Sequence, residues 1–95
     1  MDTAISTLNT PCLLLDKGKM MANHARMMAS VKARAGTFRP HLKTVKSLDI
    51  AGHILANKAA PITVSTLKEA AVYGGAGYKD ILYAVALTPD KIDRV

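Results

Sequence analysis

The chain has 95 residues, of which 49% are hydrophobic and 21% charged. That balance excludes a disordered polypeptide, and the length allows one small domain or a piece of a larger one. The net charge of +6 admits an anionic ligand, but the thirteen Lys and Arg are scattered and not interleaved with the four aromatics, so no nucleic-acid-binding platform is expected.

No apolar run approaches the ~18–20 residues needed to cross a bilayer, so no membrane segment is expected. The opening Met1-Asp2-Thr3-Ala4-Ile5-Ser6 lacks the basic and apolar regions of a secretory signal. A single cysteine, Cys12, excludes an intrachain disulfide framework and suits a reducing, cytoplasmic setting.

Residues 1–10 are polar and turn-rich and are expected to form a flexible lead-in; the folded part is expected over 11–95. After Pro11, the run Cys12-Leu13-Leu14-Leu15 predicts a strand covered on both faces and ended by Asp16. Asp16 can cap a helix over Lys17–Ala35, in which Met20, Met21, Ala25, Met27, Met28, Val31 and Ala35 share one arc. Asn23, Arg26, Ser30 and Arg34 fall opposite, and Gly36 is the expected stop. The methionines read as core filler. His24, amid the apolar arc, reads as a packing or rim histidine, since no carboxylate or second His lies one turn away.

Phe38–Lys43 predicts a second strand. Alternation puts Arg39, His41 and Lys43 on one face, an unfavourable stack unless a ligand or carboxylate offsets it. Two readings are open: a solvated edge, which Pro40 suits, or a functional site. Thr44 can cap a helix running to Ala59 or Ala60, with Leu48, Ala51, Gly52, Leu55 and Ala59 inward. Ile50 and Ile54 form a second apolar patch that another element, domain or subunit would cover. Lys46 and Lys58 read as surface charges, and His53 as solvated.

Pro61 breaks that helix, and Ile62-Thr63-Val64-Ser65 predicts a third strand. Thr66-Leu67-Lys68-Glu69 is a capping box opening a helix to about Tyr73. Gly74-Gly75-Ala76-Gly77 follows a helix, not a strand, so it is a chain reversal and not a dinucleotide fingerprint. Asp80–Val85 predicts a fourth strand, and Pro89 opens another helix.

Strict strand–helix alternation implies parallel strands and right-handed crossovers. The fold class is α/β: a small doubly wound sheet, or the N-terminal part of a (β/α)8 barrel with about four strands, incomplete because a whole barrel needs roughly 250 residues. Sites in such sheets form at the carboxyl ends of strands. Lys43 is at such an end, where a lysine amine can form a Schiff base with a carbonyl, including that of pyridoxal phosphate. Arg39 and His41 would favour the free amine, Arg39, His41 and Lys43 are the cofactor-binding candidates, and His41 could also shuttle protons. No zinc cluster, phosphate-cradling Gly-rich loop or serine elbow competes.

Several stretches together resemble one family. Thr10-Pro11-Cys12-Leu13-Leu14-Leu15-Asp16 is similar to its Thr-Pro-x-x-hydrophobic-x-Asp opening. Arg39-Pro40-His41-Leu42-Lys43-Thr44-Val45-Lys46 is similar to its Arg-Pro-His-x-Lys-Thr-His-Lys signature. Ser65-Thr66-Leu67-Lys68-Glu69-Ala70 and Asp80-Ile81-Leu82-Tyr83 follow in order. The resemblance is to the D-threonine aldolase and D-serine dehydratase group, with the alanine-racemase-like barrel of pyridoxal phosphate enzymes, and runs from Thr10 to Val95.

The resemblance implies that Lys43 carries the cofactor as an internal aldimine and that a β-rich second domain follows, pairing with the Pro11–Asp16 strand. It implies a small D-amino acid substrate, a homodimer, and a divalent metal whose His-x-Cys type ligands do not occur in this chain. Either Cα–Cβ cleavage or loss of a β-hydroxyl group would follow, with the freed Lys43 amine as a base. Val45 departs from the family's histidine. Other readings are a racemase or non-catalytic cofactor carrier, and, from another class, an inactive βα module acting only by association.

Overall fold

The computed structural model describes residues 4–95. The 1–10 lead-in thus lies partly outside the described residues; Ile5–Thr7 forms a short 3-10 helix. The regular elements that follow are α1 (Lys17–Ala33), α2 (Leu48–Ile54), β1 (Ile62–Val64), α3 (Leu67–Gly75), β2 (Ile81–Tyr83) and a second 3-10 helix, Pro89–Arg94. Among the described residues no helix is long and apolar enough to cross a membrane.

β1 and β2 pair in parallel, with Ile62 opposite Ile81 and Val64 opposite Tyr83. A third extended segment lies on the other side of β1. Its single parallel bridge, His41 to Thr63, is held by Leu42 N–H donating to the Thr63 carbonyl at 2.9 Å and Thr63 N–H to the Pro40 carbonyl at 2.8 Å. The expected strand at 38–43 is therefore one bridge long. It ends in a turn over 42–45, so Lys43 lies just past the pairing.

β1 is central and all three of its side chains are buried, as expected for a parallel strand covered on both faces. Leu42, Ala51, Leu55, Ile62, Val64, Tyr73 and Tyr78 form the core. The rings of Tyr73 and Tyr78 meet edge-to-face, 5.8 Å apart. Lys58, expected as a plain surface charge, places Nζ 4.2 Å from the Tyr78 ring centroid, a cation–π contact.

β2 has β1 on one side only; its other edge is unpaired among the described residues, and Leu82 is 50% exposed. The radius of gyration is 15.8 Å, against about 12–13 Å for a compact chain of this length. The molecule is an open slab, not a closed barrel.

Three expectations are corrected. The Pro11–Asp16 strand does not form: the segment has no pairing partner among the described residues, and Leu13 is wholly exposed. A continuous apolar run signals burial, but only a neighbouring strand can make it a strand. The helix expected from Thr44 to Ala59 or Ala60 begins at Leu48, because 42–45 is a turn, Lys46 is left-handed at φ 48°, and Ser47 is the cap accepting from Ile50 N–H. It stops at Ile54, and Asn57 Oδ1 accepts from Ala59 N–H at 2.8 Å, a local turn that competes with helix, just ahead of Pro61. Finally, no residue of α1 is buried, so its methionines do not fill a core. Met21 and Met28 border an apolar cavity of about 700 Å³ between α1, Phe38 and the end of α2. His24 also borders it, its ring 6.2 Å from that of Phe38, which is the packing role.

The end of α1 follows the helix-stop rules one residue early. Gly36 N–H bonds to the Val31 carbonyl and Ala35 N–H to that of Lys32, with Ala35 at φ 56°. This is a Schellman cap with alanine where glycine is usual.

Candidate functional site at the strand ends

Three parallel segments give the sheet two distinct ends. At the amino end lie Arg39, Ile62 and Asp80. Arg39 Nη1 donates to the Ile62 carbonyl at 2.9 Å and to the Asp80 carbonyl at 3.1 Å, and Nη2 meets Asp80 Oδ1 at 2.6 Å. The guanidinium thus passes across the start of β1 and ties all three segments. Arg39 was expected beside Lys43 as a cofactor ligand. The structure does not bring it to Lys43: its long side chain runs to the opposite end of the sheet, where it pairs with the Asp80 carboxylate.

At the carboxyl end the sequence brings His41 and Lys43 together. The backbone N–H of Lys43 donates to His41 Nδ1 at 3.2 Å. Lys43 is exposed, while Leu42 between them is fully buried. The buried Leu42 anchors the turn, and the two backbone bonds to Thr63 fix His41. Val45, at the family's histidine position, packs against the core, so it serves the fold there.

The end of β1 adds Ser65, Thr66 and Glu69. Thr66 Oγ1 accepts from Glu69 N–H at 3.0 Å, and Glu69 Oε1 accepts from Ser65 N–H at 3.1 Å. The reciprocal capping box is formed as its spacing predicts. The Ser65 N–H holds the Glu69 carboxyl below its ordinary range, against burial, which raises it; the Thr66 and Ser65 side chains also lower it, as does His41 in its protonated form. Spacing identified Glu69 as a cap but could not show that it lies within electrostatic reach of His41.

Beside this lies a cavity of about 440 Å³ that includes Lys46, Ser47, Glu69 and Tyr73. The Tyr73 hydroxyl is buried without a hydrogen-bond partner among the described residues. Burial raises its ionisation above the ordinary phenol range, the Glu69 charge adds to this, and the nearby Ser47 backbone opposes it. No group of three or more His, Cys, Asp or Glu among the described residues is placed to hold a metal ion.

The site is thus an exposed lysine and a backbone-fixed histidine at the strand ends of a parallel α/β segment. No family model matches the chain. An alanine-racemase-like protein from Idiomarina loihiensis superposes with a TM-score of 0.87 at 46% identity, over 95% of this chain and 24% of that one. A D-threo-3-hydroxyaspartate dehydratase, as a cysteine-to-alanine variant in the metal-free form, gives 0.90 at 42% identity, over 98% and 24%. In sequence, the D-threo-3-hydroxyaspartate dehydratase of Delftia sp. (strain HT23) is 44% identical over 99% of this chain, and the D-serine dehydratase of Dictyostelium discoideum 34% identical over 93%. The chain belongs to this D-serine dehydratase-like, alanine-racemase-like family. It spans about a quarter of those two relatives, 25% and 23% of their lengths.

Proposed function

We propose that this chain supplies the cofactor-anchoring part of a pyridoxal phosphate-dependent dehydratase acting on small D-3-hydroxy amino acids, with Lys43 as the anchor. The carrying observation is Lys43 itself, an exposed primary amine just past the strand pairing, on a turn fixed by Leu42 and His41. This donor set fits the aldehyde end of the cofactor: a reachable amine and, one residue away from its neighbour, an imidazole. Both named relatives are dehydratases, which supports dehydration over the aldol cleavage that the signature equally suggested.

When bound, the cofactor supplies an electron sink for charge developing at the substrate Cα. The chain's own residues supply the anchor and its placement. Lys43 Nζ would hold the cofactor, and its amine would serve as the base that takes the Cα proton. Leu42 and the bonds to Thr63 keep that amine from drifting with the turn. The ring-nitrogen partner, the remaining phosphate partners and the metal ligands are assigned to residues outside this chain, as is the second subunit of a dimer.

Borohydride reduction of the protein with pyridoxal phosphate, followed by peptide mass mapping, tests the anchor. The expected result is one dominant adduct on Lys43, lost in Lys43→Ala. Even labelling of all lysines sinks it. Turnover of D-serine and D-threo-3-hydroxyaspartate, but not D-threonine cleavage, is expected of the protein that carries this segment.

A further inference from the structure

The contact between Lys43 and His41 constrains more than a turn. A backbone N–H can only donate, so the His41 Nδ1 that receives it at 3.2 Å must present a lone pair. A neutral imidazole carries its one proton on the nitrogen that is not accepting. That proton is therefore on Nε2. Nε2 makes no hydrogen bond among the described residues, yet it is not sealed from solvent in the way the Tyr73 hydroxyl is. The bridge to Thr63 fixes the backbone on both sides of His41, and the Lys43 N–H is the bond that orients the ring.

We infer that His41 is locked as its Nε2–H tautomer by the Lys43 backbone and acts as a hydrogen-bond donor, not as a proton acceptor, to an anionic oxygen of the molecule attached at Lys43. To take a proton, Nδ1 would first have to give up the Lys43 N–H, and Nε2 already carries one. Proton abstraction is thereby left to Lys43. His41 contacts the ligand through one atom and holds the anchoring residue through the other. The identity of the acceptor rests on the proposed anchor; the tautomer does not.

Two independent readouts test this. In the full chain labelled with 15N-histidine, and assigned with His24→Gln and His53→Gln variants, two-bond proton–nitrogen spectra report which ring nitrogen is protonated. The expected pattern for His41 is an unprotonated Nδ1 and a protonated Nε2; the reverse pattern overturns the inference even if Lys43 is the anchor.

The second readout is ligand affinity by absorbance titration, with pyridoxal phosphate and with pyridoxal. His41→Gln keeps an amide N–H near the Nε2 position and is expected to bind both within about twofold of the parent. His41→Asn cannot reach that position and is expected to lose roughly tenfold, the scale of one hydrogen bond to a charged group. A His41→Asn loss seen only with pyridoxal phosphate assigns the acceptor to the phosphate. A loss seen with both ligands assigns it to the ring oxygen. Equal affinities for the two variants, or no loss in either, overturn the donor role. Failure of the Lys43 adduct in the unsubstituted chain is a separate result: it removes the anchor and leaves the tautomer measurement standing.

Discussion

Arg39 and Asp80, 41 positions apart, meet at 2.6 Å beneath the start of β1. The pair joins the first and last of the three parallel segments. Both side chains are partly exposed, at 31% and 51%, so the charge pair alone is expected to contribute under about 1 kcal/mol. The two backbone carbonyls held by the same guanidinium matter as much. Arg39→Lys keeps the charge but not the planar fork. Urea unfolding is expected to show Arg39→Lys losing about 1 kcal/mol or more and Arg39→Ala losing about 1–3 kcal/mol, with Asp80→Ala smaller. A tolerated Arg39→Lys would show that charge alone suffices.

The alanine at the end of α1 gives a prediction of the opposite sign. Ala35 holds φ 56° in the Schellman cap, a conformation that costs an L-residue roughly 1 kcal/mol or more and glycine almost nothing. Ala35→Gly is expected to raise the urea midpoint by the equivalent of about 0.5–1 kcal/mol. Ala35→Val should lower it, since a β-branched side chain fits that region worst.

Glu69 predicts a pH dependence. Its carboxyl is held low chiefly by the Ser65 N–H, so the folded state binds its proton less readily than the unfolded chain does. The resulting stabilisation is fully present above the ordinary glutamate range and is lost as pH falls through the lower, folded value. Unfolding curves collected across that acidic range should therefore converge for the parent and Glu69→Gln as pH falls, and separate as it rises. Thr66→Ala, which removes the other half of the box, is expected to cost about 1 kcal/mol at any pH.

Tyr73 is 2% exposed and its hydroxyl has no hydrogen-bond partner among the described residues. A buried polar group without a hydrogen bond costs about 1–3 kcal/mol, while the ring still contributes its edge contact with Tyr78. Tyr73→Phe is expected to be neutral or stabilising in thermal unfolding, and Tyr73→Ala to cost about 3–5 kcal/mol. A clear loss in Tyr73→Phe would mean that water satisfies the hydroxyl.

Local signals carried well from sequence to structure where the partner was close along the chain. Asp16 caps α1 through Lys19 N–H, and Thr66 and Glu69 form their box; each involves residues three or four apart. The core of β1 followed from β-branched composition. Long-range placements did not carry. Alternation put Arg39 on the face of Lys43, but a side chain that long chooses its carboxylate, and Asp80 is 41 residues away. Thr44 and Ser47 are both good caps by type, and only the left-handed Lys46 selects Ser47. Leu13 to Leu15 signal burial without naming what buries them. At the candidate site, spacing brought His41 and Lys43 to one place, whereas the bond between them, backbone to ring, has no sequence signature.

The open side of β2 has a practical consequence for every solution measurement on this chain. An unpaired strand edge with a half-exposed Leu82, followed by exposed Val85 and Leu87, is a template for intermolecular strand addition. Protein concentration is thus an experimental variable in its own right. Midpoints should be read at several dilutions, and a lysine or proline placed on that edge is the simplest way to keep molecules apart while the other substitutions are compared.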